Sequence, residues 1–299
     1  MLFVIKFENL ISPALLLMNT EFYSNCRTEA IFEIQCIDTC VSDLLSSSRT
    51  QCAAERPRWA ATQPYQRREV GSDNSTALVA QLQAQRIPFR ALAHSAPSHT
   101  RLVDQQVESV FVPDHQGAPL LAAFADVDRL FLLTPSSTDQ ALVERRFVDV
   151  AREVGVKQIV KLSVFGAEDR SVSIFQPHRE SEHSIRQTGI GYSFLRPNLF
   201  MQNLGTTDAT LIKQQNTIFN SAADGVVSFI DTHDIAAVAV AVLQNEQHLG
   251  QTYDLTGKEA ISYDDVAQKL TTLLGRRIAY VALDDAAYHH VSHMGASIT

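Results

Sequence analysis

The sequence predicts a mixed α/β fold built on a doubly wound parallel sheet, and three observations predict it. From about residue 75 onward, short apolar runs alternate with amphipathic stretches of helix length. Some of the short runs are apolar without a break, as in Leu130-Phe-Leu-Leu133, which is the pattern of a strand covered on both faces. Finally, 45% of the 299 residues are hydrophobic and 19% are charged, enough to build a sizeable core.

The elements follow in order. Residues 75–85 read as a helix, with Leu78 and Leu82 one turn apart on the same face. Two strands are expected over 87–92 and 107–112, then a short helix over 119–125. The apolar strand 129–133 leads to a long amphipathic helix over 138–154 and a further strand over 158–162. A helix over 180–188 stops at Gly189, and 191–195 forms the next strand. The remainder has a looser α/β texture, with strands at 226–230 and 252–255 around a helix at 235–243. Ser262-Tyr-Asp-Asp265 opens a last helix with a capping box, and Gly275 ends it.

Residues 1–69 read differently, as a divergent leader without sustained period. Their best strand candidates are 2–7 and 31–36, and Trp59 to Arg68 is polar and interrupted by Pro64. The chain therefore divides into this leader, a sheet domain over 70–205 and a smaller α/β lobe over 206–299. All four cysteines (Cys26, Cys36, Cys40 and Cys52) lie in the leader with no histidine among them. Free thiols in a cytoplasmic protein are the expectation, and no metal site is. A formal net charge of −8 argues against a nucleic-acid binder. Lys6 and Glu8 interrupt the apolar start, so neither a membrane span nor a signal peptide is expected.

Several stretches, in order and spacing, resemble the NmrA-like group of atypical short-chain dehydrogenases, which includes small NAD(P)H-dependent quinone reductases and azoreductases. They are Leu132-Leu-Thr-Pro135, the run from Val156 to Ser163, His178 with Glu182, and the run from Gly189 to Asn198. Phe200-Met-Gln-Asn203, Phe229 to Ala236 and Tyr253-Asp-Leu-Thr-Gly257 complete the set. The resemblance implies a Rossmann-like sheet binding NADP or NAD across the carboxyl ends of its strands; NADP is slightly preferred but the choice stays open, since Ala93-His94-Ser95 stands where NADP-preferring members place an arginine. It also implies a small-molecule substrate held by a C-terminal substrate lobe. That lobe is expected to be truncated, because family members continue with further helices. A homodimer or a regulatory protein partner is compatible with it.

Residue by residue, the resemblance implies cofactor contacts from Gly71, Ser72, Ser75, His94, Asp114, Thr134, Pro135, Lys161 and Ser163. Asn198, Phe200 and Met201 match the family's substrate wall, and Lys161, His178 and Glu182 are its candidates for chemistry. Each has a plainer account. Lys161 at a strand end can simply be solvated, and Asp114, Thr134 and Pro135 can be ordinary strand-ending turns. His178, Glu182 and Arg186 stack at helical spacing and can form a surface ladder. Phe200 and Met201 can be core packing. None of the tyrosines has a lysine four residues later: Arg196 follows Tyr192 and Ala267 follows Tyr263. A Tyr/Lys proton relay is therefore absent, and direct hydride delivery to a quinone or similar acceptor fits better.

The front of the domain departs from the family. A dinucleotide-binding turn needs glycines for tight turning and for close approach of backbone to pyrophosphate. Here the stretch is Glu69-Val-Gly-Ser-Asp-Asn-Ser-Thr76, with Gly71 alone retained and Asp73 adding negative charge. Two readings follow. The preferred one makes 1–69 a replacement leader, with no central strand and cofactor affinity largely lost. In the other, 2–7 or 31–36 fills the missing strand's place through a long insertion. The functional alternatives are a non-catalytic NAD(P)-sensing regulator and an inactive remnant of such a reductase.

Overall fold

The computed structural model describes residues 2–5, 71–206, 208–284 and 286–288. The second strand candidate of the leader, its four cysteines and the last eleven residues, 289–299, lie outside the described residues. In chain order the strands are β1 (Leu2–Ile5), β2 (Phe89–Ala93), β3 (Ser109–Phe111), β4 (Arg129–Leu132), β5 (Gln158–Leu162) and β6 (Gly191–Pro197). They continue as β7 (Thr217–Asn220), β8 (Val226–Val227), β9 (Gln251–Leu255), β10 (Ile261–Ser262) and β11 (Ala279–Ala282). The helices are α1 (Gly71–Ala84), α2 (Ala96–Asp104), α3 (Gly117–Ala123), α4 (Gln140–Val154), α5 (Gln176–Gln187), α6 (Ala209–Gln215), α7 (Thr232–Gln244) and α8 (Tyr263–Leu274).

These residues fall into two compact units. The first holds β1, residues 71–198 and residues 232–256. Its seven-stranded sheet runs β3-β2-β1-β4-β5-β6-β9, the order of a Rossmann sheet with one strand added. The side chains of β5 show why both faces are covered. Ile159 joins the core packed by α3, α4 and α5, with Phe124 and Phe147 stacked at 6.5 Å within it. On the opposite face, Gln158 Nε2 donates to the Val242 carbonyl of α7 over 3.2 Å. All five residues of β5 are buried, as a central parallel strand requires.

Local chemistry sets the helix ends. Ser95 caps α2 by accepting from the Ser98 amide, with Pro97 in the first turn, where its missing N–H costs nothing. Gly155 ends α4 at a φ of 82°, a left-handed conformation that glycine adopts without strain. The expected capping box opens α8, with Ser262 and Asp265 exchanging bonds.

The front of the sheet corrects the preferred sequence reading. A central strand is present: Leu2–Ile5 lies between β2 and β4, pairing Leu2 with Leu92 and Phe3 with Phe131. The place is thus filled by the first of the two leader candidates. Its direction is reversed, however. β1 is antiparallel to both neighbours, whereas the other pairs in this sheet are parallel. The carboxyl end of β1, at Ile5, therefore lies beside Phe89 and Arg129, the starting ends of β2 and β4. A strand so oriented does not run into a phosphate-binding turn at the crevice. A second correction concerns 71–75, expected as a turn before a helix at 75: these residues are already helical.

The second unit holds residues 199–231 and those from 257 onward. β7 and β11 pair in parallel, β8 and β10 antiparallel. Leu204, Ile212, Ile218, Phe229, Tyr263 and Leu270 form its core. Gly257 is required by a close approach: a Cβ there would stand 1.8 Å from the Phe229 carbonyl oxygen.

Candidate functional site

The carboxyl ends of β2, β3 and β4 converge on one cavity of about 200 Å³. Connections leaving those ends turn into α2, α3 and α4, and this leaves the edge open between them. Leu92, Val112, Val143, Phe147 and Pro135 give apolar walls, and His94, His115, Thr134 and Asp139 supply polar groups. His115 sits at a φ of 51°, with its ring 5.9 Å from that of His94 and edge-on to Phe147 at 5.4 Å. Burial, with the neighbouring His94 second, lowers the pKa of His115 below the usual histidine value. Asp139 is exposed, and its carboxyl is held below the usual range chiefly by a hydrogen bond from Ser137.

Thr134 and Pro135 are set by a buried polar cluster behind them. The Thr134 hydroxyl donates to Glu144 Oε1 of α4. The same oxygen accepts from Lys161 Nζ of β5 at 2.8 Å and from Gln140 Nε2 at 3.2 Å. Lys161 and Glu144 are both fully buried. Burial works against the Glu144 carboxylate, yet the Lys161 ammonium keeps its pKa below the usual value. His178 of α5 faces the same cluster. Burial and then Lys161 lower its pKa to about 4, so its imidazole is neutral at physiological pH.

A second cluster lies along α5 and β6. Glu182 accepts from Arg196 through both carboxylate oxygens, Nε to Oε1 at 3.0 Å and Nη2 to Oε2 at 2.7 Å. Ser163 Oγ donates to Oε1 at 2.6 Å, and Arg186 reaches Oε2 at 3.3 Å. Burial alone would raise the Glu182 pKa, but the bonds from Arg196 and Ser163 draw it below the usual value.

The sequence-derived candidates are thus distributed. His94, Thr134 and Pro135 line the one cavity, while Asp114 is exposed and stands outside its lining. Lys161 is neither solvated nor turned to the crevice: its ammonium is spent on Glu144 and the Leu162 carbonyl. Ser163 and Glu182 are bonded to each other. Gly71 and Ser72 fall in the first described turn of α1, and Ser75 is buried at 1% exposure. Asn198 donates its backbone N–H to the Leu255 carbonyl in the first unit. Phe200 and Met201 belong to the second unit, bridged to Ile230. Sequence reasoning missed His115, Glu144 and Arg196. Only Arg196 carried a signal, as an arginine directly after the apolar pair Phe194-Leu195.

Comparisons with known proteins place this geometry. The family model described as NmrA-like matches residues 73–299. An NAD(P)H azoreductase of Xenophilus azovorans is 34% identical over 203 residues, which are 68% of this chain and 71% of that protein. Quinone oxidoreductase 2 of Escherichia coli is 29% identical over 173 residues, covering 57% of this chain and 60% of the relative. Among solved structures, the Citrobacter sp. triphenylmethane reductase complexed with NADP(H) superposes with a TM-score of 0.63 at 25% identity. That match covers 71% of this chain and 76% of the other. With its sheet order, its crevice at the strands' carboxyl ends and these matches, the chain belongs to the NmrA-like family.

Proposed function

We propose that this protein is a cytoplasmic reductase that binds NADP(H) in preference to NAD(H) and passes hydride to a quinone or similar conjugated small molecule. The observation that carries the reading is the cavity at the ends of β2, β3 and β4. Its walls suit the adenosine half of a dinucleotide: Phe147 and Val143 offer apolar surface to a flat base, and His94 and His115 add two imidazoles to the lining. Gly71, Ser72 and Ser75, at the described beginning of α1, are the phosphate-side candidates. The carboxyl end of the reversed β1 lies away from the crevice, so the phosphates rely on those residues and on the two imidazoles.

A bound dihydronicotinamide supplies the hydride. The chain's own residues position and exclude. Glu144 fixes Thr134, and so the wall that carries Pro135. Lys161 and Glu182 are locked into buried ion pairs, and His178 is held neutral, so none of the three needs to move a proton. Hydride acceptance by a conjugated system followed by protonation from water requires no Tyr/Lys relay. The names of the relatives, an azoreductase, a quinone oxidoreductase and a triphenylmethane reductase, support acceptors of this class. Likewise, the NADP(H) bound in the Citrobacter enzyme supports the choice of cofactor.

NADPH and NADH oxidation against a panel of quinones tests the proposal. Turnover with a lower KM for NADPH is expected. Binding of dinucleotide without turnover on any acceptor would favour the sensor reading instead.

A further inference from the structure

The cavity at the ends of β2, β3 and β4 has an unusual set of charges. Among the described residues that line it, none is lysine or arginine and Asp139 is the one carboxylate. His94 and His115 are the only side chains of that lining able to become cations. They leave different strands, His94 after β2 and His115 after β3, yet their ring centroids stand 5.9 Å apart at an angle of 40°. His115 is held in place from two sides: its backbone turns at a φ of 51°, and its ring packs edge-on to Phe147 at 5.4 Å. His99 of α2 stands apart, outside the lining, with its Nδ1 2.7 Å from Ser109 Oγ.

The surroundings of His115 favour its neutral form before a ligand arrives. Burial is the first cause that lowers its pKa, followed by His94, the amino terminus and Arg146 of α4, while Asp139, just before α4, acts in the opposite sense. With both rings neutral, the lining presents only the negative charge of Asp139, which repels a phosphate. Each proton taken up turns an imidazole into a cation that donates from both ring nitrogens, and charge-assisted bonds to phosphate are the strong ones.

We propose that His94 and His115 read the 2′-phosphate that distinguishes NADP(H) from NAD(H), and that they do so by taking up a proton from solvent as the phosphate binds. The inference rests on the reading of the cavity as a dinucleotide site, and it makes cofactor preference a property that depends on pH. An arginine after β2 would keep its charge at every physiological pH. An imidazole changes charge within that range. A doubly negative neighbour favours the imidazolium, so the His115 pKa is higher in the NADP(H) complex than in the free protein. Affinity for NADP(H) is therefore greatest on the acid side and falls as pH rises through the pKa of the complex. NAD(H) carries an uncharged 2′-hydroxyl and gains nothing from that proton. A metal ion is the poorer occupant, because no group of three metal-ligating side chains occurs among the described residues.

Isothermal titration calorimetry of the full chain with NADPH and with NADH tests the proposal, in buffers of different ionisation enthalpy at pH 6.5, 7.5 and 8.5. Over this range the phosphate is largely doubly ionised, so its own titration does not mask that of the rings. Proton uptake is expected with NADPH, approaching about one per site, and not with NADH. NADPH affinity should fall roughly tenfold from pH 6.5 to 8.5, with NADH affinity, measured by displacement of NADPH, nearly constant. His115→Asn keeps a residue that tolerates the left-handed backbone. At pH 6.5 it should cost NADPH roughly tenfold more affinity than NADH and diminish the proton uptake. NADPH binding with no proton uptake, or with the same affinity at all three pH values, overturns the inference and leaves the dinucleotide site standing. If NADPH does not bind at all, the inference falls together with the reading it rests on.

Discussion

Glu182 and Arg196, fourteen residues apart, face each other as a two-pronged ion pair with both side chains almost wholly buried, at 2% and 8% exposure. Breaking such a pair from one side leaves a charge without compensation, which typically destabilises by about 3–5 kcal/mol. Arg196→Ala should therefore unfold at much lower urea concentration than wild type at pH 7.

The pH dependence of that difference has a definite sign. The Glu182 pKa is depressed in the folded state, so its contribution is present above the unfolded value of about 4.3 and is lost as pH falls through the folded one. Urea midpoints of wild type and Arg196→Ala should converge below about pH 4. A gap that stays constant from pH 7 to pH 3 would remove Glu182 as its source.

Glu144 and Lys161 pair under still deeper burial, with no exposed side-chain surface on either partner. Lys161→Met and Glu144→Gln should each destabilise by about 3–5 kcal/mol. The double variant should lose less than the sum, because neither orphaned charge then remains. A double-mutant cycle measured by urea denaturation checks this, and additive losses would show that the two groups do not share an interaction.

Asp208 shows the opposite sign. Burial raises its pKa to about 6, so the folded state holds this proton more tightly than the unfolded chain does. Stability from this group is present at low pH and declines as pH rises from the unfolded value of about 3.9 through about 6. Asp208→Asn should accordingly stabilise the protein at pH 7–8, by on the order of 1–3 kcal/mol. It should do little at pH 4. Thermal unfolding at the two pH values distinguishes the variants, and equal shifts at both would exclude the titration.

These pairs mark the boundary of what the sequence discloses. Elements governed by local rules were legible: the buried run of β5, the period of α4, and the capping box at Ser262 with Gly275 at the far end. α2 was missed because its polar His99, Arg101 and Asp104 leave only Leu102 buried, too little to show a period. α6 and β7 are short and follow one another with only Asn216 between them. The strand at 2–5 was visible as an apolar run, but alternation of side chains is the same in both directions, so its reversal left no trace. The site suffered most. Glu144 lies seventeen residues from Lys161 and Arg196 fourteen from Glu182, contacts between separate elements that no periodicity encodes. Lys161, Ser163 and Glu182 were read as cofactor-facing or catalytic candidates, and the buried bonds each of them makes to another element could not be read from their spacing.

In the proposed function, the cavity at the ends of β2, β3 and β4 holds a nicotinamide dinucleotide despite the reversed β1. Titrating the purified protein with NADPH, and following the fluorescence of the bound nicotinamide, tests it most directly. Saturable binding with a dissociation constant between about 1 μM and 1 mM, competed by NADP, is expected. A signal that rises linearly to millimolar NADPH, with no competition, would contradict it.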